Sequence, residues 1–164
     1  MEKKPEQIGT KYKYRAYFFN NMYLQGIHAG VQSQHCTAEL FTKYNPFNTI
    51  FFDESHALNQ EILHDWASKD KTTIVLNGGM QGQLEELIAL FSNKENVFPW
   101  AYFKESDFAL NGALTNVGII LPERIYNYDK FVESNKIDPA VQVPKLTDYE
   151  LQIVQSLRGK QLAK

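Results

Sequence analysis

A single cysteine, Cys36, stands in 164 residues, which excludes an internal disulfide framework and a cysteine-rich zinc site and suits a reducing compartment. Apolar residues never run for about 18 positions, the length a membrane-spanning helix needs. The N-terminal MEKKPEQIGTKYKYR also lacks the apolar centre of a signal peptide. We therefore expect a soluble, cytoplasmic chain with no membrane partner. An excess of charge of either sign is missing as well: the formal net charge is −2, so the chain lacks the field of a strongly basic nucleic-acid-binding domain, and any RNA contact would be local. There is no HExxH or related metal spacing and no Gly-x-Ser-x-Gly elbow. We expect no metal site and no cofactor. Repeats and low-complexity segments are also missing.

Apolar and aromatic residues are plentiful. At 43% hydrophobic and 13% aromatic, the chain is long enough for one well-buried domain and too short for two. Residues 1–10, charged and carrying Pro5 and Gly9, read as a mobile tail. From Tyr12 to Tyr23 a dense aromatic run predicts a first strand buried on both faces. Its interleaved bases, Lys13 and Arg15, also fit a base-stacking surface, but a core strand accounts better for so many rings. Gly26 permits a tight turn into a helix from about Ile27, which Asn45-Pro46 ends.

That helix carries the most informative pattern. At 100° per residue, His28, Gln32, His35 and Glu39 form one stripe. Ile27, Val31, Ala38 and Phe41 flank it on one side, and Ala29, Cys36, Leu40 and Tyr44 on the other. The pattern predicts a helix packed from two directions with its polar stripe along a cleft. Spacing leaves two readings open: a ligand site, or a wet groove edge in which Glu39 pairs with His35. His28 and His35 lie about 10.5 Å apart along the axis, too far to share a metal. Cys36 reads as packing.

Further on, Thr49 to Phe52 reads as a short extended piece and Ser55 to Lys69 as a second helix, with Leu58, Ile62, Leu63 and Trp66 on one side. Lys71 to Leu76 reads as a second strand. Asn77-Gly78-Gly79-Met80-Gln81-Gly82 then precedes a helix over Gln83 to Ser92. Such glycines can let backbone N–H groups approach an anion, although the run matches neither the phosphate loop of nucleotide triphosphatases nor the dinucleotide fingerprint, and a simple turn explains the spacing. Val97 to Phe103 and Val117 to Leu121 read as third and fourth strands, separated by a charged loop and a turn at Asn111-Gly112. Glu123 to Val132 predicts a helical turn or two. Ser134 to Lys145 predicts an extended linker, and Thr147 to Glu150 a capping box that opens a C-terminal helix. The domain limits follow: a tail over 1–10, a domain over 11–133, and a linker and helix over 134–164. The fold class is α/β, three layers α/β/α around a four-stranded mixed sheet, with a C-terminal extension.

This order of elements resembles type II peptidyl-tRNA hydrolases over roughly Tyr12 to Pro122. Gly30-Val31-Gln32-Ser33-Gln34-His35 is similar to the family's Ala-Ala-Gln-x-x-His. The passage from Trp66 to Leu76 looks like its helix-to-strand passage, and Gly112-Ala113-Leu114-Thr115 looks like its Gly-x-x-Thr turn. The resemblance implies a mixed sheet with helices on both faces and a cleft at the start of the first helix. Two features depart from it. His28 stands where the family has a lysine four residues before the glutamine, and Phe103 to Phe108 lacks the family's acidic loop motif, leaving Glu105 or Asp107 to supply an acid.

With the lysine absent, the resemblance favours binding over catalysis. The expected ligand-binding residues are Tyr23, His28, Gln32, His35, Asn77, Gly78 and Thr115, around a nucleotide or similar anionic small molecule. The run NGALTNVGIILPERIY also resembles phage-encoded relatives of this fold, which extends the expectation to sequestration of a host nucleotide signal. The alternative is a working hydrolase of peptidyl-tRNA or a related ester, with tRNA as partner, His28 as base and Thr115 as oxyanion donor. A third reading is an interaction module that forms a homo-oligomer through its C-terminal helix.

Overall fold

The aromatic run becomes β1, Tyr14–Asn21, buried along almost its whole length. A strand apolar on both faces belongs inside a sheet covered on both sides, and β1 has that place. The order is β2-β1-β4-β3, with β2 at Thr73–Gly79, β3 at Trp100–Lys104 and β4 at Leu114–Pro122. β2 runs parallel to β1, whereas β4 runs antiparallel to both β1 and β3. The computed structural model describes residues 13–47 and 54–164. The expected tail over residues 1–10 and the extended piece at Thr49 to Phe52 lie outside the described residues.

The helices divide between the two faces, giving the expected α/β architecture. A Cβ placed on Gly118 would lie 2.6 Å from the Phe18 ring and 3.1 Å from Cys36 Sγ, so α1, Ile27–Lys43, packs on the face bearing Phe18 and Gly118. Phe19 points the other way, its ring 6.0 Å from that of Phe91 in α3, Gln81–Phe91. Between these comes α2, Glu54–Asp65, which continues into a π-helical turn over Trp66–Asp70. Trp66 is buried there, its indole N–H donating to the Thr72 carbonyl at 2.9 Å.

Several sequence expectations are corrected. α1 is packed from one direction only: Ala29, Gln32, Ser33, Cys36 and Leu40 are buried, while Ile27, Val31 and Phe41 are exposed. The hydrophobic flank through Ile27 finds no sheet to cover it. β2 extends through Gly79, so Asn77 and Gly78 belong to the strand. Gly78 serves packing, because a Cβ there would stand 2.6 Å from Leu84 Cδ2 and 3.0 Å from the Phe19 backbone. The charged loop after β3 contains a short helix, α4, Asp107–Leu110.

Residues 123–137 form two helices, α5 at Glu123–Tyr126 and α6 at Tyr128–Ile137, so the expected linker begins only after Ile137. The C-terminal helix, α7, Asp148–Leu157, opens with the expected capping box between Thr147 and Glu150. It docks on its own domain: Tyr149, Ile153 and Val154 are buried in the core, and the Tyr149 hydroxyl donates to the Leu90 carbonyl at 2.8 Å.

Candidate functional site

Two backbone irregularities shape the region beside α1. Between Phe103 and Lys104 one step on β3 faces two on β4, since Phe103 pairs with Asn116 and Lys104 with Leu114. Such a bulge re-aims a side chain. Consecutive residues Thr115 and Asn116 therefore both reach α1. The Thr115 hydroxyl donates to Gln32 Oε1 at 2.7 Å, and Asn116 Nδ2 donates to Ser33 Oγ at 3.2 Å and to Asn20 Oδ1 at 3.4 Å. Gln32 in turn donates through Nε2 to Glu105 Oε1 at 3.0 Å, so Glu105, one of the two acids considered for the loop, is the one that meets α1.

This network is buried. Thr115 and Asn116 are fully covered, Asn20 nearly so, and Gln32 is 5% exposed. Unpaired polar groups at such positions cost about 1–3 kcal/mol each, and nearly all of these are paired. Asn20 Nδ2 donates to the carbonyls of Asn21 and Leu24, while Asn21 Nδ2 reaches the Leu114 carbonyl at 3.1 Å. The exception is Asn116 Oδ1, which has no hydrogen-bond partner among the described residues.

The second irregularity lies between β1 and β2, where Asn20 pairs with Asn77 and Asn21 with Gly79. The strands stay joined as far as the Met22 N–H, which donates to the Gly79 carbonyl at 2.9 Å; beyond it α1 lies on one face and α3 on the other. Crevices at the carboxyl ends of parallel strands, where the connections diverge, are the usual ligand sites of open α/β sheets. Here the crevice encloses about 200 Å³ and is lined by Asn20, Met22, Leu24, Gln25 and Asn77, together with Gln161, Ala163 and Lys164. The amide N–H of Gly26, at the start of α1, points at the same end and donates to the Lys164 carbonyl. Asn77 Oδ1 accepts from the Gly79 N–H at 2.9 Å.

The expected site residues separate accordingly. Gln32 and Thr115 meet in the buried network, and Asn77 lines the crevice. Tyr23, 73% exposed, and His28 stand in solvent between the end of β1 and the first turn of α1. His35 is exposed and stacks on Phe103 with ring centroids 4.7 Å apart, facing β3 rather than the crevice. Gly78 is buried packing. The polar stripe therefore holds one buried member, Gln32, while His28, His35 and Glu39 are exposed, and the expectation of one stripe along a cleft is corrected.

Asn20, Ser33 and Asn116 were not among the expected site residues. A signal for the asparagines was present: each adjoins an apolar stretch, Asn20 after Tyr17-Phe18-Phe19 and Asn116 before Val117 to Leu121, and a buried polar side chain needs partners. Burial pushes the Cys36 thiol far above its ordinary value, which fits the packing role read from sequence, since the thiolate is the reactive form. Among the described residues no group of three or more His, Cys, Asp or Glu side chains could hold a metal ion, and no helix is long and apolar enough to cross a membrane. Comparison of the chain with protein-family models and with curated proteins finds no match.

Proposed function

We propose that this protein binds a small anionic molecule of nucleotide type in the crevice at the carboxyl ends of β1 and β2, on a scaffold resembling type II peptidyl-tRNA hydrolases. One observation carries the reading. The parallel pair sends its helices to opposite faces and leaves side-chain amides of Gln25 and Asn77 beside the N-terminus of a 17-residue helix, where backbone N–H groups and the helix dipole favour negative charge. The mixed four-stranded sheet covered on both faces agrees with what the resemblance implies. Sequestration of a host nucleotide signal by a phage protein is the form of this reading that the run from Asn111 to Tyr126 supports.

Hydrolysis of peptidyl-tRNA is the second reading, with His28 as base. The geometry weighs against its other half. The Thr115 hydroxyl is buried and its hydrogen is committed to Gln32, so it is not presented to an oxyanion forming in a cleft.

Two measurements test these readings. Purified protein is denatured and the supernatant searched for nucleotides by mass spectrometry, and the native protein is heated with a nucleotide panel. A co-purifying nucleotide or ligand-dependent stabilisation is the expected result, and the lack of both removes the binding reading. Incubation with peptidyl-tRNA should release no peptide above a buffer control, whereas release abolished by His28→Ala would establish the hydrolase.

A further inference from the structure

We propose that residues Gly159–Lys164 form a releasable strap that closes the crevice and competes with an anionic ligand for the N-terminus of α1. The proposal rests on the binding reading above and adds its regulation. After α7 the chain turns at Gly159, whose φ of +69° is left-handed, and returns along the outer edge of β2. There Leu162 bridges antiparallel to Leu76. The Asn77 N–H donates to the Gln161 carbonyl at 2.8 Å, the Ala163 N–H to the Val75 carbonyl at 2.9 Å, and the Gly26 N–H to the Lys164 carbonyl.

These bonds hold a segment that buries little of itself. Leu162 is 67% exposed, Gln161 and Lys164 are exposed, and no residue from 159 to 164 is buried. Few backbone hydrogen bonds with almost no apolar burial mark the low-stability end of a structure, which opens locally without global unfolding. The strap also explains the size of the crevice. Pockets that engulf a small organic ligand measure roughly 300–1,000 Å³, whereas this one encloses about 200 Å³ with Gln161, Ala163 and Lys164 among its walls. A carbonyl oxygen of the strap already occupies the Gly26 N–H, a donor that an anion at the start of α1 would use.

The test uses the full chain in two altered forms. Ala163→Pro removes the N–H that bonds Val75 and leaves the core untouched. Leu76 and Leu162 face each other as a non-hydrogen-bonded antiparallel pair, the closer of the two pair types, so L76C/L162C places two sulfurs for a lock that reductant opens; Cys36 is buried away from them. The first readout needs no ligand: hydrogen exchange at the Gly26 and Asn77 amides. These should exchange well before the β1–β4 amides, accelerate roughly three- to tenfold in A163P, as expected for one lost hydrogen bond, and slow in the oxidised double variant.

The second readout is binding of inorganic phosphate and of 5′-AMP. The apparent dissociation constant should fall in A163P by the same roughly three- to tenfold. Binding should be lost in the oxidised lock and recovered on reduction. Exchange at Gly26 and Asn77 no faster than in the core overturns the strap, as does equal binding by all forms, which leaves the ligand reading standing. Exchange that responds as expected with no probe bound by any form overturns the ligand reading and the competition with it.

Discussion

Replacing Thr115 by valine tests the buried network with almost no change of shape. The hydroxyl donates to Gln32 Oε1 at 2.7 Å, and neither residue has access to water that could substitute, Thr115 being fully buried and Gln32 5% exposed. The variant leaves the Gln32 carbonyl oxygen desolvated and unpaired, a cost of about 1–3 kcal/mol. In a domain of this length each kcal/mol lowers the melting temperature by about 2–4 °C, so a fall of roughly 2–12 °C is expected. Gln32→Met should cost less, because the Thr115 hydroxyl retains the Phe103 carbonyl at 3.4 Å as an acceptor and Glu105 turns to solvent. The double variant removes both partners and should be more stable than the sum of the single losses, with coupling of about 0.5–3 kcal/mol. Urea unfolding of the four proteins supplies the cycle. A T115V melting temperature within about 1 °C of the wild type, or strictly additive losses, would refute the claim that this contact is buried and exclusive.

Gly118→Ala should cost about 1–3 kcal/mol by overpacking, because its Cβ would lie 2.6 Å from Phe18 Cε1 and 3.1 Å from Cys36 Sγ; the shift of the urea midpoint reads it directly. Gly78→Ala should fall in the same range, since Leu84 can rotate but the Phe19 backbone, 3.0 Å away, cannot. Burial opposes ionisation of Glu150, yet the Arg124 guanidinium and the Thr147 N–H outweigh it and hold its carboxyl below the ordinary 4.5. An acid shifted downward stabilises above its unfolded value and loses that contribution as pH falls through the folded one. Stability should therefore decline below about pH 4.5, and Glu150→Gln, weaker at neutral pH, should show a flatter acid limb in urea midpoints taken from neutral to acid pH. Thr147→Ala removes the hydroxyl that accepts the Glu150 N–H at 3.1 Å and should lower stability by about 1 kcal/mol, measured by the same unfolding.

Local chemistry was enough to place the elements along the chain. A run whose centre, Tyr17-Phe18-Phe19, is continuously aromatic reads as a strand covered on both faces, and β1 is an interior strand next to both β2 and β4. Gly26 and Asn45-Pro46 bracketed α1 within a residue or two, and Thr147 with Glu150 marked the start of α7, because caps and prolines act on their immediate neighbours. The α/β class followed from strands alternating with helices. Where strands end was less legible: Asn77, Gly78 and Gly79 look like a turn, yet backbone pairing with β1 carries β2 through them.

The site was decided by tertiary structure. Periodicity put Gln32 on a polar stripe with His28, His35 and Glu39, but only the position of the sheet determines which residue of a stripe is buried. It chose Gln32, because the bulge in β4 turns Thr115 toward it. Asn20 and Asn116 join the network through contacts 96 residues apart in sequence, a separation that no local pattern encodes. The return of Gln161 to Lys164 along the outer edge of β2 was likewise invisible, since four residues of mixed polar and apolar character carry no strand signal until an open sheet edge offers them partners. By itself the sequence determined the class of fold and the order of its elements, because propensity, capping and hydrophobic period are properties of neighbours. Which polar groups meet, and what lies across the crevice, depended on how the sheet brings distant strands together.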